Sequence, residues 1–334
     1  MTQAPVREQM GDGSPMTTQP SVVVTTLSWN RKIHTLEWLE SLSRTDYANY
    51  RILVVDQGSR DGSVEAIRKR FPDVALIENG RNLGYSRGFN VAMERAFGEG
   101  ADYVLIMNND AVIDPDTVKE LVAVAEMDQR NGFVSGKVYH YFRPDEFQTV
   151  GTNTHPYLIS GSQIGGGEID HGQHDEIAER ELTDDMFLLI RRSVWERVGG
   201  FDADYGLYGH DNIDWCLRMR KAGFKIMYAP NAKIWHKGRA GGGWTSFYVY
   251  NQVKTDYILI AKHTRFPKVL VSTALLLFWY QPKWMLLRVR PTKFVQIKAY
   301  LSGQYDGIKW MLGKGRKEQR EGHLRSDDAP YSAT

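Results

Sequence analysis

The sequence predicts an α/β protein whose mostly parallel sheet carries helices on both faces, with a helical segment after it. Three observations predict this. Strand-like runs alternate with helically spaced ones over residues 21–130, the pattern of successive βαβ units. The strands are continuous apolar or β-branched runs rather than alternating ones, as in a sheet buried on both faces. Beyond about residue 246 the chain becomes helical in spacing, aromatic and basic.

Ser21–Leu27 is a β-branched run and reads as the first strand. Ile33–Leu42 has helical spacing. Arg51–Val55 is a second buried strand ending at Asp56; Gly58 and Gly62 mark the turn before a helix over Val64–Arg70. Val74–Ile77 is a third strand, and Gly84–Phe97 a helix opened by glycine. Tyr103–Met107 is a fourth strand running into Asn108-Asn109-Asp110. Pro115–Met127 is the next helix, with proline in its first turn. Phe133–Tyr139 reads as a strand. Pro144–Thr183, rich in Gly, His and charge, reads as a variable loop region. Met186–Ile190 is apolar again, Trp215–Lys221 is a helix, and Ile226–Tyr228 and Ala232–Trp235 are two short strands.

At 334 residues, 42% hydrophobic and 25% charged, the chain has the composition of a folded protein with one large domain or two modest ones. Its net charge of +2 is unevenly spread: residues 262–334 hold 14 Lys/Arg against 5 Asp/Glu. That polarity points to an anionic surface near the C-terminal end. Nucleic acid is disfavoured because no recognised binding module is present. A single cysteine, Cys216, excludes an intrachain disulfide and fits a reducing compartment. Residues 1–20 are polar, lack the apolar core of a signal peptide, and read as a disordered tail. Val269–Tyr280 falls short of the roughly 20 apolar residues of a spanning helix. Its Trp, Tyr, Lys and Arg flanks suit a membrane–water interface; the alternative is a helix docked on the rest of the chain or on a second subunit.

Polar groups end the parallel-type strands at Thr26–Asn30, Asp56 and Asp110, so they should converge on one sheet edge, where open α/β sheets bind ligands. Asp56 could accept the imide N–H of a pyrimidine base, or cap the helix near Asp61. Asn79–Asn90 joins a strand to a helix; its glycines let backbone approach a ligand, and Arg81 or Arg87 could meet phosphate. His210-Asp211-Asn212-Ile213-Asp214-Trp215 is dense in polar groups for mere capping, and a carboxylate there could act as a general base. Ile234-Trp235-His236 ends a strand before Lys237, Arg239 and three glycines, which suits a ligand under a phosphate-covering lid.

Taken in order, these segments resemble family 2 glycosyltransferases with the GT-A (Rossmann-like) fold, and rhamnosyltransferase-like members in particular. The matching pieces are Val22–Thr25, Val54–Ser59 with Asp61–Ser63, Asn82-x-Gly84 with Gly88-x-Asn90, Asn108–Asp110, Arg191-Arg192 with Gly199–Asp202, His210-Asp211 with Asp214 and Arg218, and Trp235-His236. The resemblance implies a catalytic domain over 21–245, with a nucleotide-binding half at 21–130 and an acceptor half at 131–245. A basic, membrane-associated helical segment then occupies 246–334. It implies that Thr25 and Asp56 hold base and ribose, and that Asn30, Asn82, Gly84, Arg87, Asn108, Lys237 and Arg239 complete the donor site. Asp110 and His236 would hold Mg2+ or Mn2+ against the diphosphate. Asp211 would be the general base, with Asp214 its rival, and Tyr208, His210 and Trp215 would face the acceptor.

The implied reaction is inverting transfer from a UDP- or dTDP-sugar, dTDP-rhamnose among them, to a glycan or lipid-linked acceptor in surface polysaccharide synthesis. The implied location is the cytoplasm, peripheral on the inner face of the cell membrane; homo-oligomerisation stays open. Two departures bear on this. Asn108 and Asn109 leave Asp110 as the one acid of the metal motif, and Asn212 cannot accept a proton. They keep open a non-catalytic nucleotide- or carbohydrate-binding subunit. A sugar-phosphate nucleotidyltransferase is the enzymatic alternative, disfavoured because Thr26–Arg31 replaces the Gly-rich triphosphate loop expected after the first strand.

Overall fold

The β-branched run at the start becomes β1 (Val22–Ser28), which lies inside the sheet with both faces covered. The computed structural model describes residues 19–238, 245–288 and 294–313. β1 pairs in parallel with β2 (Tyr50–Asp56), β2 with β3 (Ala75–Glu78), and β1 on its other side with β4 (Tyr103–Met107). The connections are α1 (Lys32–Leu42), α2 (Ser63–Arg70) and α3 (Tyr85–Gly98). Alternate residues of each strand face opposite layers. Val23, Leu53, Val104 and Ile106 pack with Phe89, Ala92 and Met93 of α3. Val22, Val24, Val54 and Leu105 pack with Trp38 and Leu39 of α1 and with Val118 and Leu121 of α4 (Thr117–Glu126).

The second half extends the same sheet. Short β5 (Ala111–Ile113) follows Asp110, and β6 (Asn131–His140) follows α4. The stretch expected to be loop instead contains β7 (Arg143–Thr149), β8 (Thr152–His155), β9 (Ile159–Gln163) and β10 (Ala178–Arg180). These strands are polar and lie at edges or in a separate β8–β9 hairpin, so pairing rather than apolar periodicity defines them. β11 (Phe187–Arg191) runs antiparallel between β4 and β6. After α5 (Arg192–Val198) and α6 (Asp211–Lys221) comes β12 (Lys225–His236), parallel to β6. The two short strands expected there are one long strand, with a register slip across Pro230. The order is β10-β12-β6-β11-β4-β1-β2-β3, with β5 on β12 and β7 on β6.

The helical end comprises α7 (Ser246–His263), α8 (Lys268–Leu275), a π-helical turn over Leu276–Tyr280, α9 (Gln281–Arg288) and α10 (Phe294–Met311). α7 packs into the core of the α/β part: Val249, Val253 and Tyr257 share one apolar cluster with Phe201, Tyr205 and Trp215. α10 lies close along α7 because Gly303 and Gly307 face it. A Cβ at either position would stand 2.6 Å from Tyr250 O or 2.5 Å from Tyr257 Cδ2.

Candidate active site

Because β1, β2 and β4 are parallel neighbours, their carboxyl ends open on one edge. Asp56 ends β2 there. Its Oδ2 accepts from the Gly58 and Ser59 N–H groups, both at 2.9 Å, while Oδ1 is buried with no protein partner. The capping alternative fails, since α2 is preceded by Gly62 and Asp61 serves the Lys32 and Ser63 N–H groups. Thr25 Oγ1 is a second buried polar atom without a partner. Asn30 adopts positive φ and braces the neighbouring loop: its Oδ1 accepts from Arg60 N at 2.8 Å, and its N–H donates to Ser59 Oγ.

The glycine segment is shaped by a residue that sequence reasoning passed over. Gln57, buried next to Asp56, accepts from Asn79 Nδ2 and Leu83 N and donates to Gly84 O. Asn82 Oδ1 accepts from Gly84 N at 2.8 Å, so Asn82 forms the turn itself. Gly84 has φ +83° and packs on Leu207, 2.7 Å from where a Cβ would sit. Arg87 follows on the first turn of α3, half-buried, with no hydrogen-bond or ion-pair partner among the described residues.

Asp110 and His236 meet. β5 and β12 pair antiparallel, Ala111 opposite His236, and Lys237 N donates to Asp110 O at 2.9 Å. Main-chain pairing thus places Asp110 Oδ1 3.0 Å from His236 Nε2. Burial alone would raise the Asp110 pKa, but the hydrogen bond and charge of His236, with His34 beyond, outweigh it and hold the carboxyl below its usual range. Asn108 Nδ2 lies 3.2 Å from the same Nε2. Two donor atoms adjacent on one cation at about 2.1 Å lie about 3 Å apart, so this pair fits a divalent ion. Among the described residues no group of three His, Cys, Asp or Glu side chains could hold one, so the remaining ligands would be supplied by substrate oxygens or water. Lys237 ion-pairs with Glu37 of α1, so its charge is engaged within the protein; Arg239 lies outside the described residues.

α6 begins a turn earlier than its apolar residues suggest, which puts Asp211 and Asp214 in its first turn. Asp211 is buried, accepts from Ser86 Oγ, and lies close enough to Asp185 for the two carboxylates to interact. Burial, and for Asp185 the repulsion of Asp211, push both well above the usual carboxylate range. Asp184 is raised by burial as well. Asp184 and Asp185 were not legible as site residues; the one available signal is a pair of acids directly before an apolar strand. The Tyr85 hydroxyl donates to the Asp185 carbonyl at 2.9 Å. Burial raises its pKa, and the charges of Asp185, Asp211 and Asp110 raise it further, so all three acids act on one phenol.

Three expectations need correction. Asp214, the rival base, is committed: its buried carboxylate accepts from Arg218 Nε (2.6 Å), His263 Nε2 (2.7 Å) and Tyr205 OH (3.2 Å). Although burial opposes it, these partners hold its pKa below the usual range. Trp215 cannot face an acceptor, because it is fully buried against Phe133 and Phe201 with Nε1 donating to Gly199 O. His210 is buried beneath α7, 3.0 Å from Thr255 Oγ1 and 2.8 Å from Gln252 Nε2, and desolvation lowers its pKa to about 4. Tyr208 stays half-exposed, edge-on to Tyr248.

The model of glycosyl transferase family 2 matches residues 21–197, more than half of the chain. The chain belongs to that family. This family 2 glycosyltransferase is 29% identical over 250 residues to the N-acetylglucosaminyl-diphospho-decaprenol L-rhamnosyltransferase of Mycobacterium tuberculosis, covering 68% of this chain and 80% of the relative. It is 26% identical over 233 residues to the glucosyl-dolichyl phosphate glucuronosyltransferase of Haloferax volcanii, covering 65% and 68%. Its fold matches two solved GT-A enzymes. One is the mannosyltransferase PcManGT from Pyrobaculum calidifontis, solved with GDP-Man and Mn2+ (TM-score 0.54, 18% identity, 93% of this chain and 89% of that one). The other is GalNAc-T7, solved with UDP, GalNAc and Mn2+ (TM-score 0.64, 12% identity, 91% and 58%).

Proposed function

We propose that this glycosyltransferase moves a sugar, with inversion, from a UDP- or dTDP-sugar to a hydroxyl of a lipid-linked glycan acceptor in surface polysaccharide synthesis. The rhamnosyltransferase relative makes dTDP-rhamnose the first donor to try. The observation that carries the reading is the meeting of acids around Tyr85. Asp211, raised towards the pKa of a useful base, and Asp110, which faces His236, both lie near enough to Tyr85 for their charges to act on its phenol. Asp211 takes the proton from the acceptor hydroxyl as that oxygen attacks the anomeric carbon. Asp110 Oδ1 and His236 Nε2 would hold Mg2+ or Mn2+, which would supply positive charge against the leaving nucleoside diphosphate. Asp56 Oδ1, buried and unpartnered, is the acceptor for a uracil or thymine imide N–H, whereas Thr25, opposite Leu53 in the register, sits three residues deeper in the sheet. Arg87 is the phosphate contact this reading prefers to Lys237.

The reading includes work at the inner face of the cell membrane. Among the described residues no helix is long and apolar enough to cross a membrane. Yet α10 is apolar on both sides. Tyr300 and Trp310 pack inward, whereas Phe294, Leu301 and Tyr305 recur at helical spacing on the outside, each more than half exposed. Phe278, Trp279, Leu286 and Leu287 are exposed to a similar degree. From Thr264 to Gly313 the sequence has eight Lys/Arg and one acid, Asp306, so an anionic lipid surface suits this face better than a second copy of like charge. A screen of nucleotide sugars for thermal stabilisation, with and without Mn2+, tests the donor reading. Stabilisation by a pyrimidine-nucleotide sugar that grows with Mn2+ is expected; a purine-nucleotide preference would overturn it.

A further inference from the structure

The residue that orients His236 is Gln148. It lies on β7, where one residue step on β6 (Val138 to Tyr139) is matched by two on β7 (Thr149 to Phe147). Gln148 is therefore the extra residue of a β-bulge, a device that re-aims a side chain beside a site. Its amide grips His236 at both ends: Oε1 lies 2.8 Å from the ring Nδ1, and Nε2 donates to the His236 carbonyl at 3.2 Å. Nε2 also lies 3.1 Å from His140 Nδ1. Room for this grip comes from Gly238, where a Cβ would stand 3.3 Å from Gln148 Nε2.

The orientation of the amide follows from chemistry. A carbonyl oxygen can only accept, so the NH2 of Gln148 must face the His236 carbonyl. Its oxygen then faces Nδ1, so Nδ1 must carry a hydrogen. With Nδ1–H held on Gln148, a cation that displaces the Nε2 hydrogen shared with Asp110 meets the ring's lone pair on Nε2, 3.0 Å from Asp110. We infer that Gln148 is a positioning residue: from the bulge in β7 it fixes the tautomer and ring plane of His236 so that Nε2 is presented, with Asp110, to a divalent cation. This rests on the reading of Asp110 and His236 as the cation's protein ligands. Partners of this kind typically contribute roughly 10- to 100-fold to metal affinity.

The test is Mn2+ affinity of the full chain by electron paramagnetic resonance with UDP present, together with the 15N tautomer signature of His236 in metal-free protein. Gln148→Leu should weaken Mn2+ binding roughly 10- to 100-fold, and the His236 ring should show mixed tautomers. Gln148→Glu keeps an acceptor at Nδ1 but loses the donor to the His236 carbonyl, and should recover part of the affinity. Failure of wild type to bind Mn2+ would refute the metal reading itself. Wild-type binding that Gln148→Leu leaves unchanged, or a glutamate variant no better than leucine, would overturn the role of Gln148 alone. Should Gln148→Leu fold poorly, the wild-type spectrum still decides: a ring protonated on Nε2 rather than Nδ1 rejects the inference.

Discussion

Two aspartates three residues apart on α6 should respond to the same substitution in opposite ways. Asp214→Asn removes a buried charge that Arg218, His263 and Tyr205 all address, at 2.6, 2.7 and 3.2 Å. Arg218 keeps bonds to the Val198 and Gly200 carbonyls, so the loss falls on the ion pair and on His263. Breaking one side of such a buried pair costs about 3–5 kcal/mol. With roughly 2–4 °C per kcal/mol for a domain of ordinary size, the melting temperature should fall on the order of 10 °C. Asp211→Asn instead removes a carboxylate that burial already disfavours, so stability should hold or rise. Its cost appears in turnover: loss of a general base is worth about 10²- to 10⁴-fold, or about 3–5 kcal/mol of barrier. Melting curves with single-turnover transfer assays on both variants read this directly. If Asp214→Asn melts normally but is inactive, while Asp211→Asn still transfers, the roles derived from this geometry are wrong.

Three more outcomes are expected. Only ionised Asp211 accepts a proton, and its folded pKa is raised, so kcat/KM should rise with pH along an acid limb above the ordinary carboxylate range. Asp185, raised to about 8 by burial and by the Asp211 charge, stays protonated across that limb, so Asp185→Asn should leave the limb in place; a limb moved to lower pH would show that Asp185 is charged there. The same raised values mean that stability from their protonation is present in acid and lost as pH rises through the limb, whereas that of Asp214, whose pKa is lowered, is lost in acid. Asp56→Asn turns the unpartnered Oδ1 position into a donor. Titration calorimetry should show weaker UDP binding by about 1–3 kcal/mol and a relative gain for CDP, whose base presents an acceptor there; equal UDP affinity would remove Asp56 from base recognition. Replacing Phe278, Trp279, Leu286 and Leu287 by serine should abolish co-sedimentation with anionic vesicles while transfer to a short soluble acceptor persists. Retained vesicle binding would move the membrane face elsewhere.

What was legible in the sequence follows from which residues are chosen by their own neighbours. Val22–Ser28, Leu53–Asp56 and Tyr103–Met107 are buried on both faces, so their composition alone marks them, and their shared direction brings Asp56 and Asp110 to one edge. β7 to β10 carry polar stretches such as Thr152–His155, which become strands only when partners arrive from far along the chain. Trp215 and His210 were misread for a related reason. Helical spacing does not reveal that Trp215 turns inward onto Phe133 of β6, or that α7 covers His210. Gln57 and Gln148 were invisible because an amide in a turn or bulge has no pattern of its own; its role exists only in the distances.

The pairing of β5 with β12 has an evolutionary consequence. Asp110 and His236 are far apart in sequence, yet main-chain hydrogen bonds between two strand ends set their separation. Chain inserted between them leaves that separation alone, and lengthening a loop costs little, about 0.6 kcal/mol per doubling. The segment between β6 and β11 can therefore be lengthened or trimmed without moving that pair apart. One condition travels with any such change: the altered segment must keep a grip on His236 where Gln148 now stands.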